Sequence, residues 1–135
     1  MRGILTDINV QGQLEILLLV WRSLDWLATW EDLGLAVHTF RDLNLNREAP
    51  DSLVWQICQD RQLALITANR NDDGPESLET TLRNLNTVQS LPVFTLADPQ
   101  RLKHEASYAR RVAVKLLEYF MDIDRVRGTG RLYVP

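Results

Sequence analysis

The sequence predicts an α/β domain with a short, mostly parallel sheet of four strands flanked by helices. Three observations carry this. Short apolar runs bounded by turn-forming residues recur along the chain and read as buried strands. The segments between them show helical spacing of apolar residues. The stretch 63–79, LALITANRNDDGPESLE, compresses the pattern into strand, acidic loop and helix start, and the rest of the chain is organised around it.

Gly3–Val10 (GILTDINV) reads as the first strand, closing on Asp7 and Asn9. Gly12–Asp32 reads as one long helix. Leu14, Leu17, Leu18, Trp21, Leu24 and Ala28 recur near helical spacing, and Trp26 and Trp30 thicken the stripe. Rings of that size suit a core or an oligomer contact, and the apolar face suggests a homodimer. Gly34 is placed to stop the helix. Leu35–Phe40 is the second strand, followed by a polar loop, Arg41–Ala49. Pro50-Asp51 opens a helix over Ser52–Gln62 with Leu53, Val54, Ile57 and Cys58 inward. Leu63–Thr67 is the third strand, and Pro75 starts a helix reaching Leu85. Leu91–Leu96 is the fourth strand. Asp98-Pro99 opens a last helical region running through His104–Asp124, with Val112, Leu116, Leu117 and Phe120 as its stripe. Residues 1–124 thus form the domain, and 125–135 a basic tail, either unordered or laid along a neighbouring molecule.

Right-handed crossovers put helices on both faces of the sheet. The expected strand order is 2-1-3-4, so the crossover direction switches between strands one and three. Ligands of parallel sheets bind at such a switch, beyond the carboxyl ends of the strands, where Asp7 and Asn69 would meet.

Composition narrows the function. The chain has 135 residues, a net charge of −3 and a single cysteine. The charge argues against sequence-blind coating of nucleic acid but leaves room for a local basic face. One cysteine excludes an intrachain disulfide framework and fits a reducing compartment. The longest apolar run, Ile16–Trp21, is far short of a bilayer span, and the N-terminus lacks a signal-peptide layout. The expectation is a soluble, cytoplasmic protein without membrane contact.

The candidate chemistry is carboxylate chemistry. Asp7, Asp51, Asp72 and Asp73, with Asn69 beside them and Glu76 or Glu79 in reserve, would repel one another unless a cation joined them. Mg²⁺ and Mn²⁺ prefer oxygen ligands and retain waters, so two or three carboxylates suffice. Such an ion polarises a phosphoryl oxygen and activates water for phosphodiester cleavage. Each residue also has a plainer role. Asp7 can start a turn, Asp51 can cap its helix, Asp72 and Asp73 can form a solvated turn, and Glu79 can pair with Arg83. Thr67 can hydrogen-bond Asp7 or simply end its strand. His38, His104 and Cys58 show no metal-ligand spacing. Arg110, Arg111 and Lys115 on one helix, with Arg125, Arg127 and Arg131 after it, form either an RNA-binding cluster or a solvated face.

The segments LTDINV, FRDLNLNREAPDSLVWQICQ and LALITANRN resemble the PIN-like family of the DUF5615, Mut7-C-related type, over roughly residues 3–97. The resemblance implies a three-layer PIN-like (Rossmann-like) fold and a metal-dependent ribonuclease acting as the toxin of a toxin–antitoxin pair, beside a small antitoxin-like protein. It implies an acidic site of three residues. Asp7 and Asp51 match the first two. Where the family pattern has Thr-x-Asp, this chain has Thr67-Ala68-Asn69, with Asp72 and Asp73 slightly later. The expectation is therefore a Mg²⁺ or Mn²⁺ site at Asp7, Asp51 and Asp73, with Asp72 beside it, Asn69 positioning water or phosphate, and Arg70, Arg110 and Arg111 contacting RNA. The alternative is a module of the same fold that binds a protein or nucleic acid without cutting it.

Overall fold

The computed structural model describes residues 1–70 and 74–135. Five parallel strands form one sheet in the order β2-β1-β3-β4-β5. They are β1 (Gly3–Thr6), β2 (Ala36–His38), β3 (Leu63–Thr67), β4 (Val93–Leu96) and β5 (Arg131–Val134). The helices are α1 (Gln11–Trp21), α2 (Leu27–Leu33), α3 (Asp51–Arg61), α4 (Leu78–Leu85), α5 (Pro99–His104), α6 (Ala106–Met121) and α7 (Ile123–Val126).

Alternation along the strands builds two cores. Ile4, Ala64, Ile66, Phe94 and Leu96 point to one face, where α1, α2, α5 and α6 contribute Leu17, Trp21, Trp30, Leu102, Leu116 and Leu117. Leu5, Leu63, Leu65 and Val93 point to the other, against Val54, Trp55 and Cys58 of α3 and Leu78 and Leu82 of α4. Strands buried on both faces need continuous apolar runs, as Leu63–Ile66 of β3 has.

The expected order 2-1-3-4 is present, and the strand count is corrected from four to five. The fifth strand comes from the expected tail. Gly128 (φ 86°) and Gly130 (φ 82°) take left-handed conformations that turn the chain back toward the sheet. Arg131–Val134 then pairs with β4 from Val93 to Leu96, and Val134 is fully buried. RLYV is too short and too charged at its start to read as a strand alone, and its arginine pairs with Glu79, far away in sequence.

Other boundaries shift for local reasons. The first strand ends at Thr6, and Ile8–Val10 forms a 3-10 turn. The long first helix breaks after Trp21, where the Ser23 hydroxyl donates to Val20 O at 2.6 Å and competes with the helical ladder. The break lets Trp30 stack on Trp21 at 4.8 Å, while Trp21 Nε1 donates to Ala113 O at 2.9 Å. These two tryptophans belong to the core. Gly34 caps α2 at φ 59°, as its position suggests. The helix after the acidic loop begins at Leu78 rather than Pro75, because Ser77 accepts from Thr80 N and serves as the N-cap. The last helical region opens at Asp98-Pro99 as expected but divides into α5, α6 and α7, and Asp98 caps the first of these. Among the described residues no helix is long and apolar enough to cross a membrane.

Candidate functional site

A cleft of about 350 Å³ opens beyond the carboxyl ends of β1 and β3. Asp7, Asn9, Arg47, Asp51, Thr67 and Asn69 supply its polar lining. Asp7 is the first residue after β1, and its N–H still follows the sheet, donating to Ile66 O at 2.9 Å. Its side chain is fixed by Thr67, whose hydroxyl donates to Asp7 Oδ2 at 3.1 Å. The same Thr67 oxygen accepts from Asn69 N at 3.0 Å, tying the end of β3 to the start of the loop.

Asp51 stands across the cleft at the first position of α3. It makes no capping bond within its own helix. Instead Oδ2 accepts from Leu78 N at 3.0 Å, at the start of α4, and from Asn69 Nδ2 at 2.8 Å. One carboxylate thus joins α3, α4 and the loop after β3. Carboxylate acceptors at helix N-termini are favoured by the exposed amides there.

Asn69 is held from behind by Arg131. The Arg131 guanidinium donates to Asn69 O at 2.7 Å, to Thr95 Oγ1 at 2.6 Å and to Glu79 Oε1 at 2.6 Å. Its side chain is 8 % exposed and forms an ion pair with Glu79. Glu79 therefore pairs with Arg131 across the fold and not with Arg83 one turn along, which corrects the local expectation. A buried guanidinium needs a carboxylate, and the carboxylate on α4 faces β5.

The structure brings Asp7, Asp51 and Asn69 together. Asp72 and Asp73 lie outside the described residues. Glu76 is exposed and precedes α4. Arg70 turns away from the cleft, donating to Ala97 O at 2.6 Å with its guanidinium 5.2 Å from the Tyr133 ring centroid. Arg110 and Arg111 line a separate groove beside β5. The tail arginines are tied to the fold or to neighbouring carboxylates. Arg127 bonds Asp124, Gln89 O and Gln62, and Arg125 pairs with Asp122. Cys58 is buried, and burial pushes its thiol up to about 12.

Asn9 and Arg47 were not legible as cleft residues. Arg47 sits in the polar loop after β2 with no spacing signal, and only the fold swings that loop over Asp7. It is exposed and makes no hydrogen bond or ion pair among the described residues. A cation without a carboxylate partner on a cleft wall is available to an anion.

Among the described residues no group of three or more His, Cys, Asp or Glu side chains is close enough to hold a metal. Two carboxylates do line one open cleft, and all hydrogen bonds to Asp7 and Asp51 side chains from described residues fall on Oδ2, leaving Oδ1 of each unengaged. Mg²⁺ sites use one or two carboxylates and fill the remaining positions with water and substrate phosphate, so this set fits a hard cation. The chain matches no protein-family model, no curated protein and no solved structure.

Proposed function

We propose that this cleft is the active site of a Mg²⁺- or Mn²⁺-dependent endoribonuclease with a three-layer PIN-like fold. The observation that supports it most is the pairing of Asp7 and Asp51. They come from separate elements, converge on one cleft at the sheet's switch point, and each has one carboxylate oxygen that no described residue engages. Asp7 and Asp51 would hold the ion, which when bound supplies phosphoryl polarisation and an acidified water. Thr67 orients Asp7, Asn69 orients Asp51, and Arg47 neutralises the phosphate of the scissile bond. Dipoles and charges fixed in advance favour the charge that builds up in the transition state. The resemblance adds the setting: a toxin whose partner is a small antitoxin-like protein.

One observation favours a second reading. The Asn69 amide already gives Asp51 a neutral donor where the family pattern would add a carboxylate. A carboxylate satisfied this way needs no cation, and the fold would then serve as a non-cleaving binding module.

Incubation of end-labelled single-stranded RNA with Mn²⁺, Mg²⁺ or EDTA separates the two. The nuclease reading predicts cleavage that requires metal and is lost in Asp7→Asn and in Asp51→Asn. Folded wild-type protein that leaves the RNA intact under all three conditions supports the binding module.

A further inference from the structure

A second depression of about 620 Å³ lies between α6 and the edge strand β5. Its floor includes Val114, Tyr133 and Pro135, and its rim carries Arg110, Arg111 and Lys115. Tyr133 is 52 % exposed. Among the described residues Glu118 is the one acidic side chain in the lining, and it is engaged by Lys115 at 3.6 Å. Arg110 makes no hydrogen bond or ion pair among the described residues, and Arg111 lies 5.8 Å from the centroid of the Tyr108 ring. In a chain of net charge −3, the groove sets three cations of α6 in one lining with a half-exposed aromatic ring.

We propose that this groove is a second binding surface for single-stranded RNA, apart from the carboxylate cleft. A base stacks on Tyr133 against the apolar floor, and phosphates run along Arg110, Arg111 and Lys115. Aromatic faces flanked by cations are how single strands are held without sequence preference. The path to the cleft is short in sequence. Asn69 lines the cleft, and its neighbour Arg70 reaches over the Tyr133 ring. An acidic peptide would satisfy the cations but gain little from the ring face, which is why RNA is the better occupant. The proposal extends the nuclease reading, and its test omits metal so that the two fail separately.

The test is fluorescence anisotropy of a labelled single-stranded oligouridylate with the full chain in EDTA, across a salt series. Wild type should bind. Replacing Arg110 and Arg111 together by alanine should weaken binding roughly tenfold or more and lower the salt slope by about 1.4, near 0.7 for each phosphate no longer neutralised. Tyr133→Leu should weaken binding roughly fivefold or more with little change in slope, and Tyr133→Phe should retain it. Arg22→Ala with Arg83→Ala, exposed arginines elsewhere, controls for net charge. Far-UV circular dichroism confirms that each variant is folded. Absence of wild-type binding would overturn the proposal. So would equal loss in the control pair, or unchanged affinity in the Arg110/Arg111 variant. Equal competition by polyglutamate of matched charge would overturn it too, assigning the surface to an acidic peptide instead.

Discussion

Asn69 decides how the cleft behaves without a cation. Its amide donates to Asp51 at 2.8 Å, so Asn69→Asp replaces an attraction by two facing carboxylates. In EDTA this variant should lose about 2–3 kcal/mol of stability, a fall in Tm of roughly 5–10 °C. Mn²⁺ should restore most of the loss, because Asp51 and the new carboxylate would hold the ion and its charge would offset their repulsion. Thermal unfolding with and without metal measures both. A fall that Mn²⁺ leaves untouched would show that the cleft does not take a cation there. Cys58 gives a simpler check on burial. With its thiol pushed up to about 12, the thiolate is scarce at pH 8, and alkylation of the native protein should be far slower than in urea. Rapid native labelling would place Cys58 nearer the surface than its packing between α3 and the sheet does.

At the scale of elements, β5 is the piece that both closes the sheet and supports the site. Arg131 at its start ties together Glu79 of α4, Thr95 of β4 and the carbonyl of Asn69. Arg131→Leu should cost about 3 kcal/mol, since it leaves Glu79 without its partner and two acceptors unmet. Urea denaturation measures this, with Glu79→Gln expected to cost less because Glu79 is partly open to solvent. Removing residues 131–135 should expose the β4 edge and part of the larger core, and the shortened chain should aggregate in size-exclusion chromatography. This element was the least legible in the sequence. The third strand could be read to the residue because Leu63–Ile66 is continuously apolar, Thr67 ends the run, and all five residues are buried. Arg131–Val134 could not, because its leading charge is cancelled by a residue 52 positions away. The break between α1 and α2 was hidden for a similar reason: apolar periodicity continues through 22–26, and only the stacking of Trp30 on Trp21 requires the bend.

At the scale of the molecule, topology does most to create the candidate site. The order β2-β1-β3-β4-β5 places the ends of β1 and β3 side by side, and that alone brings Asp7 next to Thr67 and into one cleft with Asn69. This much follows from the order of apolar runs and the handedness of crossovers. The placement of Asp51 follows from Pro50 opening α3. Arg47 and the groove beside β5 do not follow, because both depend on how a loop and an edge strand drape over finished layers. The cleft thus takes its two carboxylates from the sequence pattern and its cation from the fold.

The measurement that bears most directly on a metal held there is calorimetric titration of metal-free protein with Mn²⁺, wild type beside Asp7→Asn and Asp51→Asn. One saturable site in the wild type, weakened by at least about tenfold in each variant, is the predicted result. Absence of saturable binding by folded wild type, or equal binding by all three proteins, would contradict a cation held between Asp7 and Asp51.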